Sequence, residues 1–173
     1  NGLEKIGAIQ PGMTLVDSST GNGGAALAWI GRLKGYKIKI FMPEGMTQER
    51  KVQIRSLGAE IIETPKEGFL SGAVLAARRY QAEQLNEQVF FLDQSNNLLN
   101  KAAWADCGEE IVEALRHQHV VPDFFVCSIG TGGTFSGIAE VLKCEYREIR
   151  TVAIEVNKSA PLYSERNNLT FEH

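Results

Sequence analysis

The 173 residues carry 18 Lys and Arg against 21 Asp and Glu, for a formal net charge of −3, with 43% hydrophobic and 23% charged residues. This is ordinary globular usage, enough for one core or one and a half, and it excludes a disordered or fibrous chain. It provides no basic field to hold a nucleic acid, and no apolar run approaches the roughly 20 residues of a membrane span.

The opening Asn1-Gly2-Leu3-Glu4-Lys5 lacks the charged-then-apolar order of a signal peptide, so a cytoplasmic protein is expected. A chain that opens on Asn instead of Met is read as starting inside a longer one. Cys107, Cys127 and Cys144 are odd in number and widely spaced, which fits a reducing compartment rather than a disulfide framework. His117 and His119 are two apart and cannot share a helix face, so no metal site with Cys107 is expected.

Along the chain, Thr14 to Asp17 predicts a strand, Ser18 to Gly24 a tight loop, and Ala25 to Lys34 a helix closed by Gly35. Lys37 to Met42 is the next strand. Pro43-Glu44-Gly45 ends it, and a helix from Thr47 to Leu57 stops at Gly58. A strand at Glu60 to Glu63, a helix from Ser71 to Asn86 and a strand at Val89 to Phe91 follow. Gln94 to Asn100 is a polar loop before a helix from about Ala102 to His117. Phe124 to Cys127 then enters a second glycine loop, Gly130 to Thr134, with a helix over Phe135 to Cys144 and a strand over Arg150 to Glu155. Val156 to His173 is polar and is expected to be loop. Strands alternating with helices imply right-handed crossovers and a parallel sheet covered on both faces, an α/β fold of three αβα layers.

The two loops have different chemistry. Gly130-Thr131-Gly132-Gly133-Thr134 lies between strand and helix, where backbone N–H groups can converge on an anion, the helix dipole favours negative charge, and two hydroxyls stand by. A phosphate suits it, and the absence of a following lysine excludes a nucleotide P-loop. In Ser18 to Gly24 hydroxyls come first, then glycines around Asn22, which suits a carboxylate or a polar ring. Gly21-Asn22-Gly23-Gly24-Ala25-Ala26 also matches the GxGxxA dinucleotide pattern, with Glu44 23 residues beyond Gly21, so a nucleotide-binding Rossmann domain stays open as an alternative.

Taken together, these residues resemble the fold-type II pyridoxal-phosphate enzymes, the family of cysteine synthase, cystathionine β-synthase and the serine and threonine dehydratases. Ser19-Thr20-Gly21-Asn22-Gly23-Gly24 is similar to the family's Thr-Ser-Gly-Asn-Thr-Gly loop. Phe41 to Met46, Glu49-Arg50-Lys51 and Leu57 to Glu60 resemble the segment after it, and Gly130 to Thr134 is similar to its phosphate loop. Gln94 with asparagines 96, 97 and 100 resembles its Gln-Phe-x-Asn loop.

The resemblance implies a two-domain, tryptophan-synthase-β-like fold, with 1–96 in the smaller domain and 97–173 beginning the larger one. It implies pyridoxal 5′-phosphate as cofactor, its 3-hydroxyl at Asn22 and its phosphate at Gly130, Thr131, Gly132, Gly133 and Thr134. The substrate's carboxylate is expected at Ser19, Thr20, Gly21, Gly23 and Gln94, in a homodimer that exchanges or eliminates the β-substituent of a serine-type amino acid, as in O-acetylserine plus sulfide giving cysteine. The family's Schiff-base lysine stands roughly 30 residues before the asparagine of the first loop. Counting back from Asn22 passes the first residue, and Lys5 falls in the helix after that position. The chain by itself is therefore expected to be inactive, part of a pyridoxal enzyme; the alternative is a catalytically dead binding module that keeps the phosphate cup. Gly23 replaces the family's threonine and Cys107 its usual threonine, and both bear on which amino acid is accepted.

Overall fold

The computed structural model describes residues 2–84, 88–156 and 161–167, which divide into two compact units, Asn1–Gln94 and Ser95–His173. In the first unit, α1 (Gly2–Lys5) precedes the alternation β1 (Thr14–Ser18), α2 (Asn22–Leu33), β2 (Lys37–Pro43), α3 (Gln48–Ser56), β3 (Glu60–Thr64), a 3₁₀ turn, α4 (Phe69–Glu83) and β4 (Val89–Phe91). The strands form one sheet in the order β3-β2-β1-β4, parallel throughout.

The period-two alternation of each strand sorts its residues between two cores. Leu15, Ile38, Ile40 and Met42 pack with Ala25 and Ala28 of α2 and Ile54 of α3 on one face. Val16, Phe41, Val89 and Phe91 pack with Ala73 and Ala77 of α4 on the other. The small residues at the helix contacts let the backbones come close to the sheet. From β1 the chain steps outward to β2 and β3 with its helices on one face, then returns past β1 to β4 with α4 on the opposite face. The reversal between β1 and β4 is a topological switch point, where the carboxyl ends of the two strands open a crevice.

The second unit holds α5 (Leu98–Ala102), α6 (Ala105–His117), β5 (Phe124–Ser128), α7 (Gly133–Glu145), β6 (Arg150–Ile154) and α8 (Pro161–Asn167). β5 and β6 pair in parallel, and Val112, Ile138, Leu142 and Ile149 form its core. Phe124, Val126, Val152 and Ile154 of this pair are exposed among the described residues.

Three elements differ from the sequence expectation. The polar loop expected over 94–100 gives way to a short extra helix, α5, ahead of the expected one, because Asn97 caps an earlier start, its Oδ1 accepting the N–H of Leu99 at 3.0 Å. The tail expected as loop contains α8, which opens on Pro161 at the first helical position, where a missing N–H costs nothing. The helix expected to reach Asn86 ends at Glu83, and 85–87 lie outside the described residues. Among the described residues no helix is long and apolar enough to cross a membrane, and no cluster of His, Cys, Asp or Glu could hold a metal. The three cysteines are free.

Candidate active site

The switch point of the first unit gathers the hydroxyl-rich loop and Gln94. α2 has Gly21 at its N-cap, which offers no side chain, and the helix takes its cap from Ser19 instead. Ser19 Oγ accepts the N–H of Gly24 at 2.8 Å and that of Gly21 at 3.3 Å, while its own N–H donates to Phe41 O at 3.1 Å. At 6% exposure Ser19 is the anchor of this loop, and the turn folds around it. Gln94 Nε2 donates to Ser18 O at 2.7 Å. A Cβ placed on Gly23 would stand 3.4 Å from Gln94 Oε1 and 3.5 Å from Ser19 Oγ, so these three residues meet, with exposed Asn22 beside them at the start of α2. Thr20 is half-buried, and its carbonyl accepts Arg50 Nη1 at 3.1 Å from α3.

Beneath this loop lies Asp17, 5% exposed. Its Oδ1 accepts the N–H of Ser18 at 2.8 Å. Burial pushes its pKa up to about 6 from 3.8; the Ser18 amide opposes that rise and Asp93 adds to it. Asp93 is itself paired with Arg78 of α4 at 3.0 Å.

In the second unit the glycine loop turns into α7 through Gly132, whose φ of 85° is left-handed. The first amides of a helix have no partner inside it, and a left-handed turn before them lets successive N–H groups converge, as an anion requires. The carbonyl of Gly132 accepts the N–H of Ser136 at 2.9 Å and its hydroxyl at 2.8 Å, fixing the first turn. A Cβ on Gly133 would lie 2.6 Å from Asn100 Nδ2, so any side chain there would have to push the Asn100 amide aside. Asn100 Nδ2 donates to Thr131 Oγ1 at 3.1 Å. On the open side, a Cβ on Gly130 or Gly132 meets nothing within 4 Å. Backbone donors, two threonine hydroxyls, a positive helix end and open space together fit the phosphate of pyridoxal phosphate.

Three contributors escape the sequence pattern. Asp17 closes a strand that otherwise looks like core, Arg50 falls within a matched segment but has no role until its contact with Thr20 is seen, and Asn100 is grouped by sequence with Gln94. Asn97 caps α5 and Asn100 supports the glycine loop. Two adjacent polar residues before a short helix were the available signal for the cap.

Residues 2–171 match the family model described as "Pyridoxal-phosphate dependent enzyme". A cysteine synthase of Staphylococcus aureus (strain Mu50) is 36% identical over 160 residues, covering 92% of this chain and 50% of the relative. Cysteine synthase B of Escherichia coli K12 is 36% identical over 163 residues, 92% of this chain and 51% of its own length. The crystal structure of a hydrogen sulfide-producing enzyme from Fusobacterium nucleatum superposes with a TM-score of 0.89 at 30% identity, over 95% of this chain and 49% of that one. The chain spans about half the length of the curated relatives it matches. It belongs to the pyridoxal-phosphate dependent enzymes, and its fold is theirs.

Proposed function

We propose that this chain carries the amino-acid and phosphate subsites of a cysteine synthase-like enzyme that replaces the β-substituent of a serine-type amino acid. With O-acetylserine and hydrosulfide, the Cβ–O bond breaks, a Cβ–S bond forms, and cysteine and acetate leave. The observation that carries the proposal is the meeting of Ser19, Gly23 and Gln94 at the β1/β4 switch point, with Gln94 Nε2 2.7 Å from Ser18 O.

In this reading the phosphate is held by Gly130, Thr131, Gly132, Gly133 and Thr134, and the ring hydroxyl by Asn22. The amino-acid carboxylate lies against Thr20, Gly21, Gly23 and Gln94, on a loop that Ser19 holds in shape. Pyridoxal phosphate, when bound, supplies an electron sink that eases loss of the substrate's α-proton and β-substituent. Residues 1–96 belong to the smaller domain and 97–173 to the larger, in an enzyme that works as a homodimer. A dinucleotide at Gly21 to Ala26 is disfavoured, because Ser19 Oγ already takes the amides of Gly21 and Gly24 that a pyrophosphate would need.

The chain alone binds without turning over. Lys34, Lys39, Lys51 and Lys101 are engaged by Glu4, Glu60, Glu63 and Glu140, and Lys5 on the short α1, like Lys37, Lys66 and Lys143, is exposed on the surface. Mixing the chain with pyridoxal phosphate, reducing with borohydride and mapping the peptides tests this, with cysteine formation from O-acetylserine and sulfide followed in the same sample. Saturable cofactor binding with no unique lysine adduct and no cysteine is expected. A stoichiometric adduct at Lys5 would place the catalytic amine inside this chain, and lack of saturable binding would overturn the phosphate subsite.

A further inference from the structure

We propose that Asp93 is a positioning residue of the amino-acid subsite, a left-handed stop that ends the β1/β4 ladder one step short and hands Ser18 O to the side chain of Gln94. The proposal rests on the placement of the amino-acid subsite given above. Its ground is the rhythm of the ladder. β1 runs beside β2 as far as Ser18↔Phe41, but its pairing with β4 ends at Val16↔Phe91, followed by one bond from Leu92 N–H to Val16 O at 2.9 Å. Hydrogen bonds along one edge of a parallel strand recur every second residue, so the next step of this ladder would bring Gln94 N–H to Ser18 O. What Ser18 O accepts is Gln94 Nε2, at 2.7 Å. A side chain stands where the strand would have continued.

The cause lies in the residue between. Asp93 has a φ of 49°, in the left-handed region, where an extended strand cannot continue. Aspartate tolerates that region better than most residues, because its short polar side chain can bond locally, whereas a β-branched residue there is strained. The turn is also held from outside, since Arg78 Nη2 of α4 donates to Asp93 Oδ2 at 3.0 Å. With the Arg78 side chain 58% exposed, this ion pair adds little to stability by itself, and its weight falls on the direction of the turn.

The consequence is felt at the crevice. With the ladder stopped, the Gln94 amide faces the loop after β1, its Oε1 3.4 Å from the place a Cβ on Gly23 would take. Were Asp93 to relax to an extended φ, the ladder would gain a step, the Gln94 backbone would take Ser18 O, and the side-chain amide would be displaced from it. The same move would close the gap between the carboxyl ends of β1 and β4. Asp93 thus keeps the switch point open without touching the substrate. An amino acid that enters meets an amide already oriented, so binding has less order to impose.

Amide NMR of the full chain tests the proposal. In the native chain the Gln94 side-chain amide should exchange slowly and show a through-hydrogen-bond coupling to the Ser18 carbonyl. Asp93→Val should abolish that coupling and speed exchange of the side-chain amide about tenfold or more, while the Gln94 backbone N–H becomes better protected. Asp93→Gly removes the carboxylate but accepts the left-handed turn, so it should keep the coupling and hold exchange within about threefold of native. An aspartate that mattered only for its ion pair would not be rescued in Asp93→Gly. Coupling kept in Asp93→Val, or lost equally in Asp93→Gly, would overturn the proposal. If Asp93→Val fails to fold, Asp93→Ala is read against Asp93→Gly in its place. L-Serine titrated into the native chain should shift the Gln94 side-chain signals, with an affinity about tenfold weaker in Asp93→Val. Signals that serine leaves unmoved, beside an intact rescue in Asp93→Gly, would overturn the subsite reading and Asp93's place in it, and the coupling data would show that the ladder stop itself had not failed.

Discussion

The loop after β1 in the first unit and the loop before α7 in the second are built in opposite ways. The loop after β1 is held by side chains: Ser19 beneath its amides, Gln94 across the crevice, Arg50 outside and Asp17 below. The loop before α7 is shaped by backbone conformation at Gly132 and by the close approach of Asn100 to Gly133. Under the proposed assignment, the difference follows from the ligand each would hold. A phosphate is a compact, permanent charge for which convergent backbone N–H groups suffice. An amino-acid carboxylate must be oriented as well as bound, and orientation needs side chains whose own positions are fixed. One loop can therefore be probed through the ionisation of Asp17, the other through added volume.

The largest effect should come from the titratable side. Because the native state raises the Asp17 pKa from 3.8 to about 6, it binds more protons than the unfolded chain between those values. Stability from this group is greatest at low pH and declines as pH rises through the window, by up to about 3 kcal/mol. Urea unfolding from pH 4 to pH 7 should show the gap between Asp17→Asn and the native chain moving toward the variant by that order. A gap that does not change would mean that Asp17 is solvated and that the contrast between the loops is false.

Added volume tests the other loop. Gly133→Ala sets a methyl against the Asn100 amide and should cost about 2 kcal/mol, measured by thermal melting, together with loss of inorganic phosphate binding followed by calorimetry. Unchanged phosphate affinity would show that the loop does not depend on this close approach. The smallest effect belongs to Arg50→Ala. Its guanidinium is exposed and meets a carbonyl, so stability should stay within about 0.5 kcal/mol, and the change should appear as faster hydrogen exchange in residues 20–22.

The α/β alternation was legible because the strand runs and the Gly and Pro breaks punctuate the chain so regularly. The β1 and α7 loops were legible because hydroxyls and glycines cluster only there. What could not be read was each residue's partner. Asp17 looks like a polar strand end until β4 is placed next to β1, since its burial is a property of the sheet order. Asn100 looked like a companion of Gln94 by sequence spacing, but the start of α5 at Leu98 carries it to the glycine loop. α8 had its signal in Pro161, obscured by the polar residues around it.

The pairing of β4 with β1 also bears on how the first unit is made. Gln94 reaches Ser18 across 76 residues of chain, and the strands between them must first take up their own crossovers. Contacts so distant in sequence close late, since the entropy of the intervening loop is lost before they can form. The three strands β1 to β3 can pair stepwise as neighbours, whereas the crevice appears only when the last strand docks. In a chain emerging from the ribosome, the edge of β1 thus waits unpaired for the arrival of Val89 to Phe91.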